Sequence, residues 1–139
     1  PFDTTASERF TFENETIEVH QGQRDYIGPF EVPEAGKSLF LTLNSQGPAV
    51  DVMIVARYVG DTWRDQYQRG MLAPPPGPVM AGGPLQPNTN DVRRYPLPVG
   101  SYYVVIDNTA AAGLVGPPAS LNPLADAMVR ISYVAQLGE

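Results

Sequence analysis

The chain predicts an all-β fold: an antiparallel two-sheet sandwich of about eight strands, Greek-key or jelly-roll in type, with long Pro/Gly-rich loops. Three observations carry that expectation. Apolar side chains recur at every second position in one segment after another, the period that places them on a single face of a strand. Clusters of Gly, Pro, Asn and Asp, which supply turns, separate those segments. No stretch reads as a long helix.

Residues 1–7 are small and polar and read as an extended arm; the single domain is expected over 8–139. Glu8–Gln21 reads as a hairpin, with Phe10 and Phe12 alternating with polar residues, a turn at Glu13-Asn14-Glu15, and Ile17 and Val19 alternating on the return. Tyr26–Val32 is a further strand in which Gly28-Pro29 marks a bulge or a sheet edge. After a turn at Pro33–Gly36, Ser38–Asn44 sets Leu39, Leu41 and Leu43 against Phe40, Thr42 and Asn44, with the leucines inward. Val50–Val59 reads as one long strand. Val50, Val52, Ile54 and Ala56 form one row, and Met53 and Val55 make the opposite row apolar too. Such a strand is central and covered twice, or lies beneath a loop or a partner.

Gly60–Arg69 fits either period, although Trp63 and Tyr67 stand at helical spacing. Ala73–Asn90, with Pro74-Pro75-Pro76 and Gly82-Gly83-Pro84, is expected to be a long loop. Asp91–Tyr95 is a short strand leading into the firmest stretch of the chain, Tyr95–Thr109. There, Leu97-Pro98-Val99-Gly100 makes a corner, and Tyr102, Val104 and Ile106 face the core. The spacing of Leu97, Gly100 and Tyr102 fits a tyrosine corner, in which the hydroxyl bonds upstream backbone. Ala110–Ala125 is a second long loop. Ala127–Leu137 closes the domain with Val129, Ile131, Tyr133 and Ala135 inward, and pairing it with an early strand would protect a sheet edge.

The 139 residues are enough for one domain with a substantial core. Net charge is −6, and the nine Lys and Arg are scattered, which argues against nucleic acid and anionic lipid as partners. The chain has no cysteine, so disulfides and thiolate metal sites are excluded. No apolar run has the length of a membrane span. Pro1 is not an initiator residue, so a leader, anchor or preceding domain is expected to have been removed.

Motifs for catalysis are weak. Gly36-Lys37-Ser38 matches the end of a phosphate-binding loop, but the earlier glycine is replaced by Glu31 and a strand follows. His20 is the only histidine and reads as an exposed strand-end residue. Asp61 and Asp65 read as solvated acids, and no Gly-x-Ser-x-Gly elbow occurs. No cofactor is expected. Calcium at Asn88-Thr89-Asn90-Asp91, with Asp107-Asn108 nearby, is the one metal with oxygen ligands to hand, and turn chemistry is the favoured reading there. Asn14-Glu15-Thr16 matches a glycosylation sequon. The binding candidates are Tyr58, Trp63, Arg64 and Tyr67, because aromatics beside arginine are enriched in protein interfaces and aromatic faces stack on sugars. The alternative is that Trp63 packs under the proline-rich loop.

The corner Leu97-Pro98-x-Gly100-x-Tyr102-Tyr103-Val104-Val105-x-x-Asn108 resembles the last-but-one strand of bacterial pre-peptidase C-terminal domains and of the related GOLD-type sandwiches. A strand like Leu39–Leu43 and a step like Val50-Asp51-Val52 precede it in those families, as here. The likeness spans roughly 16–59 and 91–137; the stretch Gly60–Asn90 departs from it, and no binding residue transfers. It implies a non-catalytic, extracytoplasmic accessory domain that assists secretion or binds protein, polysaccharide or calcium. The expectation is therefore a structural or interaction module outside the cytoplasm, docking on a protein partner or a homo-oligomeric assembly. A carbohydrate-binding module that uses Trp63 and its neighbouring tyrosines is the alternative.

Overall fold

A computed structural model describes residues 9–109 and 127–139. The expected arm at 1–7 and the expected loop at 110–125 lie outside the described residues. The elements are β1 (Arg9–Val19), β2 (Gln23–Val32), β3 (Ser38–Gln46), β4 (Val50–Ala56), α1 (Arg57–Gln68), β5 (Val79–Leu85), β6 (Asn90–Pro96), β7 (Gly100–Asn108) and β8 (Val129–Gly138). They form two antiparallel sheets of four strands, ordered β1-β8-β3-β6 and β2-β7-β4-β5. This is a jelly-roll arrangement: successive strands change sheet at every step except β4 to β5.

The two-residue period builds the core as expected. Leu39, Leu41 and Leu43 of β3, Val50, Val52 and Ile54 of β4, Tyr102, Val104 and Ile106 of β7, and Val129, Ile131, Tyr133 and Ala135 of β8 meet between the sheets. Full burial of each such aliphatic side chain contributes about 1.5–3 kcal/mol. The Tyr102 hydroxyl donates to the Pro98 carbonyl at 2.7 Å, which fixes the corner before β7. β8 lies between β1 and β3, so the last strand is paired on both sides. The Gly28-Pro29 step is a bulge in the edge strand β2, where register with β7 shifts between Ile27 and Phe30.

Three expectations are corrected. Arg9–Val19 is one strand and not a hairpin, because β8 runs beside its whole length, from Arg9 opposite Gly138 to Val19 opposite Val129. The polar Glu13-Asn14-Glu15 is an edge segment next to a register shift at Thr11/Glu13, not a turn. The long strand Val50–Val59 stops at Ala56, and the chain continues directly into the twelve-residue helix α1. The expected loop over Ala73–Asn90 contains β5, an edge strand paired only with β4. Gly82 serves that pairing: a Cβ there would fall 2.3 Å from the Val52 carbonyl oxygen, so only glycine fits against β4.

The helix explains why β4 is apolar on both sides. Val59 and Trp63 of α1 pack on Met53, Val55, Tyr103 and Val105, the outward face of the β2-β7-β4-β5 sheet. Local signals for α1 are poor at its start: Ala56 offers no side-chain cap and no acid occupies the first turn. Its end is better specified. Gly70, with φ of +81°, donates to Tyr67 O at 3.0 Å and Met71 donates to Gln66 O at 2.9 Å, the Schellman pattern. Packing on the sheet, more than intrinsic helicity, therefore holds α1 in place.

Candidate functional site

The sheet face beneath α1 carries a buried charged row. Register sets Arg24 of β2 opposite Asp107 of β7, and Asp107 opposite Asp51 of β4. All three are at least nine-tenths buried. Arg24 Nε donates to Asp107 Oδ1 at 2.8 Å, Nη1 to the Tyr26 hydroxyl at 3.2 Å, and Nη2 to the Ala73 carbonyl at 3.3 Å. The guanidinium lies 4.2 Å from the centre of the Trp63 ring and 5.5 Å from that of Tyr67. Trp63 Nε1 donates to the same Ala73 carbonyl at 2.8 Å. The Thr109 hydroxyl donates to Asp107 Oδ1 at 2.8 Å. Burial raises the Asp107 carboxyl above its ordinary value, against the opposing pull of Arg24 and Thr109.

Around this row the aromatics interlock. Tyr26 meets Trp63 and Tyr103 edge-on, at 5.9 and 6.3 Å between ring centres. The Tyr103 hydroxyl donates to Asp61 Oδ1 of α1 at 2.5 Å. Burial, and then that carboxylate, raise the Tyr103 phenol; burial raises Tyr26 as well. Every nitrogen of Arg24 and both oxygens of Asp107 are engaged within the fold. The arrangement clamps α1 and the chain at Ala73 onto the sheet.

The four sequence candidates separate. Trp63 is fully buried, with Arg24 over its ring, so neither a sugar nor a partner reaches that ring unless Arg24 moves. Arg64 and the half-buried Tyr67 come together in a shallow cleft of about 200 Å³ with Arg24, Asp25, Tyr26 and Gln68. Tyr58 projects elsewhere. It is 69% exposed and lines a groove of about 490 Å³ with Arg57, Met80, Pro98 and Val99. Met80 and Val99 are 44% and 59% exposed.

The residues considered for metal binding brace the fold. Asn88 Oδ1 accepts from Gly47 N at 2.9 Å, Asp91 pairs with Arg93 at 2.8 Å, and Asn108 donates to the Val19 and Ala127 carbonyls. Among the described residues, no group of three or more His, Asp or Glu is placed to hold a metal ion. His20 is exposed at the turn between β1 and β2, and Lys37-Ser38 leads into a strand.

Sequence reading missed Arg24 and Met80. Arg24 stands in the polar run Gln21-Gly22-Gln23-Arg24-Asp25, just before the expected strand at Tyr26, and Met80 lies in the expected loop Ala73–Asn90. The one available signal was Asp107, an acid that ends the otherwise apolar row Tyr103, Val105. No protein-family model matches the chain, and comparison with curated proteins finds no relative.

Proposed function

We propose that the chain is a non-catalytic, extracytoplasmic docking module that engages a protein partner through the groove beside Tyr58. One observation carries the reading. Tyr58, Met80 and Val99 come from α1, β5 and the β6–β7 corner, yet expose their apolar surface around a single groove. Isolated exposed apolar residues are ordinary, whereas a cluster on one surface marks an interaction site. Tyr58 suits an anchor role, since a tyrosine offers a large apolar face and a polar tip. The apolar second face of β4, which by itself suggests a covering partner, supports the reading no longer, because α1 covers it. The extracytoplasmic placement follows from the resemblance of Leu97–Asn108 to accessory domains of that kind.

The alternative, carbohydrate binding, has less in its favour, since the Trp63 ring is covered and Tyr58 is the one strongly exposed ring among the four candidates. A photoreactive phenylalanine analogue at position 58 of the full-length protein, irradiated in source cells, separates the readings. A discrete polypeptide adduct that disappears in Val99→Glu is the expected result. A glycan adduct favours the alternative. Labelling no different from that of a probe at Thr42, on the far sheet, would remove the site.

A further inference from the structure

Six of the nine Lys and Arg residues have a carboxylate within 4.0 Å: Arg24, Lys37, Arg57, Arg69, Arg93 and Arg130. Among the described residues, Arg9, Arg64 and Arg94 have none. Arg9 and Arg94 stand on β1 and β6, the opposite edges of one sheet, yet both reach the Phe40 ring on β3, at 3.8 and 6.0 Å from its centre. The register explains how. Arg94 lies directly opposite Phe40, while Arg9 stands diagonal to it, opposite Gly138 of β8, which has no side chain.

Arg94 also lines a cleft of about 300 Å³ with Lys37, Ser38, Pro96, Leu97 and Pro98. The wall of that cleft contains a buried hydroxyl, Ser38 Oγ, that has no hydrogen-bond partner. Lys37 has only a loose, partly exposed contact with Glu139, at 3.5 Å. On a protein of net charge −6, Arg94 has no carboxylate within 4.0 Å among the described residues, and Lys37 has only that loose one. Guanidinium and ammonium groups that line one cleft suit a carboxylate, which takes charge-assisted hydrogen bonds from either. The cleft is held in shape from behind. Leu97 N donates to Lys37 O at 3.2 Å, and Tyr102 fixes the Pro98 carbonyl. Pro98 also lines the groove beside Tyr58, so the cationic cleft and the apolar groove adjoin at the corner before β7.

We infer that this cleft takes a carboxylate side chain of a protein segment whose neighbouring apolar residues enter the Tyr58 groove. The inference rests on the docking reading above and specifies the partner: a peptide that carries an acid beside apolar residues. Fluorescein-labelled hexaglutamate, titrated against the full chain at low ionic strength and read by anisotropy, tests the acidic half on its own. The double variant Lys37→Gln/Arg94→Gln is expected to weaken binding by at least about tenfold, the scale of losing one charge-assisted hydrogen bond, and Arg64→Gln by less than about twofold. Both changes lie at the surface, and an unchanged Trp63 emission maximum confirms that each variant is folded.

No binding at millimolar peptide, or equal loss in Arg64→Gln, would overturn the inference. Polygalacturonate or inorganic phosphate binding more tightly than hexaglutamate would overturn it in favour of an acidic glycan or a small anion. Failure here with the cross-link at position 58 intact removes the cleft alone, whereas loss of the cross-link removes the docking reading itself.

Discussion

Arg24 is a fully buried cation whose guanidinium is enclosed by one carboxylate, two aromatic rings, a phenol and a carbonyl. Desolvating a charge costs several kcal/mol, and here the pairing with Asp107 and the contacts around it offset that cost. Arg24→Met keeps most of the volume but leaves Asp107 buried opposite a neutral neighbour. It should destabilise the fold by about 3–5 kcal/mol in urea unfolding. Arg130→Met, which breaks an exposed 3.6 Å pair with Glu18, should cost less than about 1 kcal/mol. Similar losses in the two variants would mean that the buried pair is no more than a surface contact. The pairing was hard to read from the sequence, because its partners are 83 residues apart and only Asp107, at the end of an apolar row, hinted at it. Tyr102 was legible for the opposite reason: its partner Pro98 is four residues away, within one local motif.

The helix α1 shows how an element can be specified by what it packs against. Its start has no cap, and Gly60 in its interior costs about 1 kcal/mol relative to alanine on propensity alone. Gly60 is there because the sheet comes close: a Cβ would fall 2.2 Å from Cδ2 of Tyr103. That ring is buried, and its hydroxyl is tied to Asp61, so it has little room to yield. The clash therefore outweighs the propensity gain. Gly60→Ala should destabilise the protein by about 1–3 kcal/mol and not stabilise it. Trp63 is the only tryptophan, so a red shift of its emission reports whether the helix has lifted from the sheet. A higher melting temperature with unshifted emission would show that the contact is looser than described. Because the helix runs straight on from β4 with no cap between them, the strand was read on to Val59, and only Gly60–Arg69 fitted either period. The spacing of Trp63 and Tyr67 was the one correct clue. β5 was lost for a related reason, since an edge strand containing Gly82-Gly83-Pro84 has the composition of a loop.

For the molecule as a whole, the period of two revealed which residues face inward but not which strands are neighbours. That is why the sandwich and the pairing of the last strand with an early one were legible, while its place between two of them, β1 and β3, was not. The open sides of the sandwich are defended by charge. Arg93 of β6 donates to the Gly83 and Pro84 carbonyls of edge strand β5, at 3.0 and 2.7 Å, and ties the two sheets together there. On the other side, Glu13, Glu15 and Asp25 of edge strands β1 and β2 occupy the core-facing rows, beside Tyr133, and inward charges of this kind discourage pairing with another chain. They also bear on the tyrosines. Burial, followed by these three acids, holds the Tyr133 phenol well above its ordinary value, and burial raises Tyr26, Tyr102 and Tyr103. In each case the unfolded chain releases its proton first, near pH 10. The stability contributed by the neutral phenols is therefore complete below about pH 10 and is lost as pH rises toward the folded values, at up to about 1.4 kcal/mol per tyrosine per pH unit. Urea unfolding at pH 8 and pH 11 should show that loss, and Tyr133→Phe should lose less of its own pH 8 stability than the parent protein does. Phenolate absorbance at these sites should rise together with the loss of β-sheet circular dichroism. A smooth titration of all seven tyrosines near pH 10 with the sheet signal intact would mean that water reaches these phenols and that the edge between β1 and β2 is open.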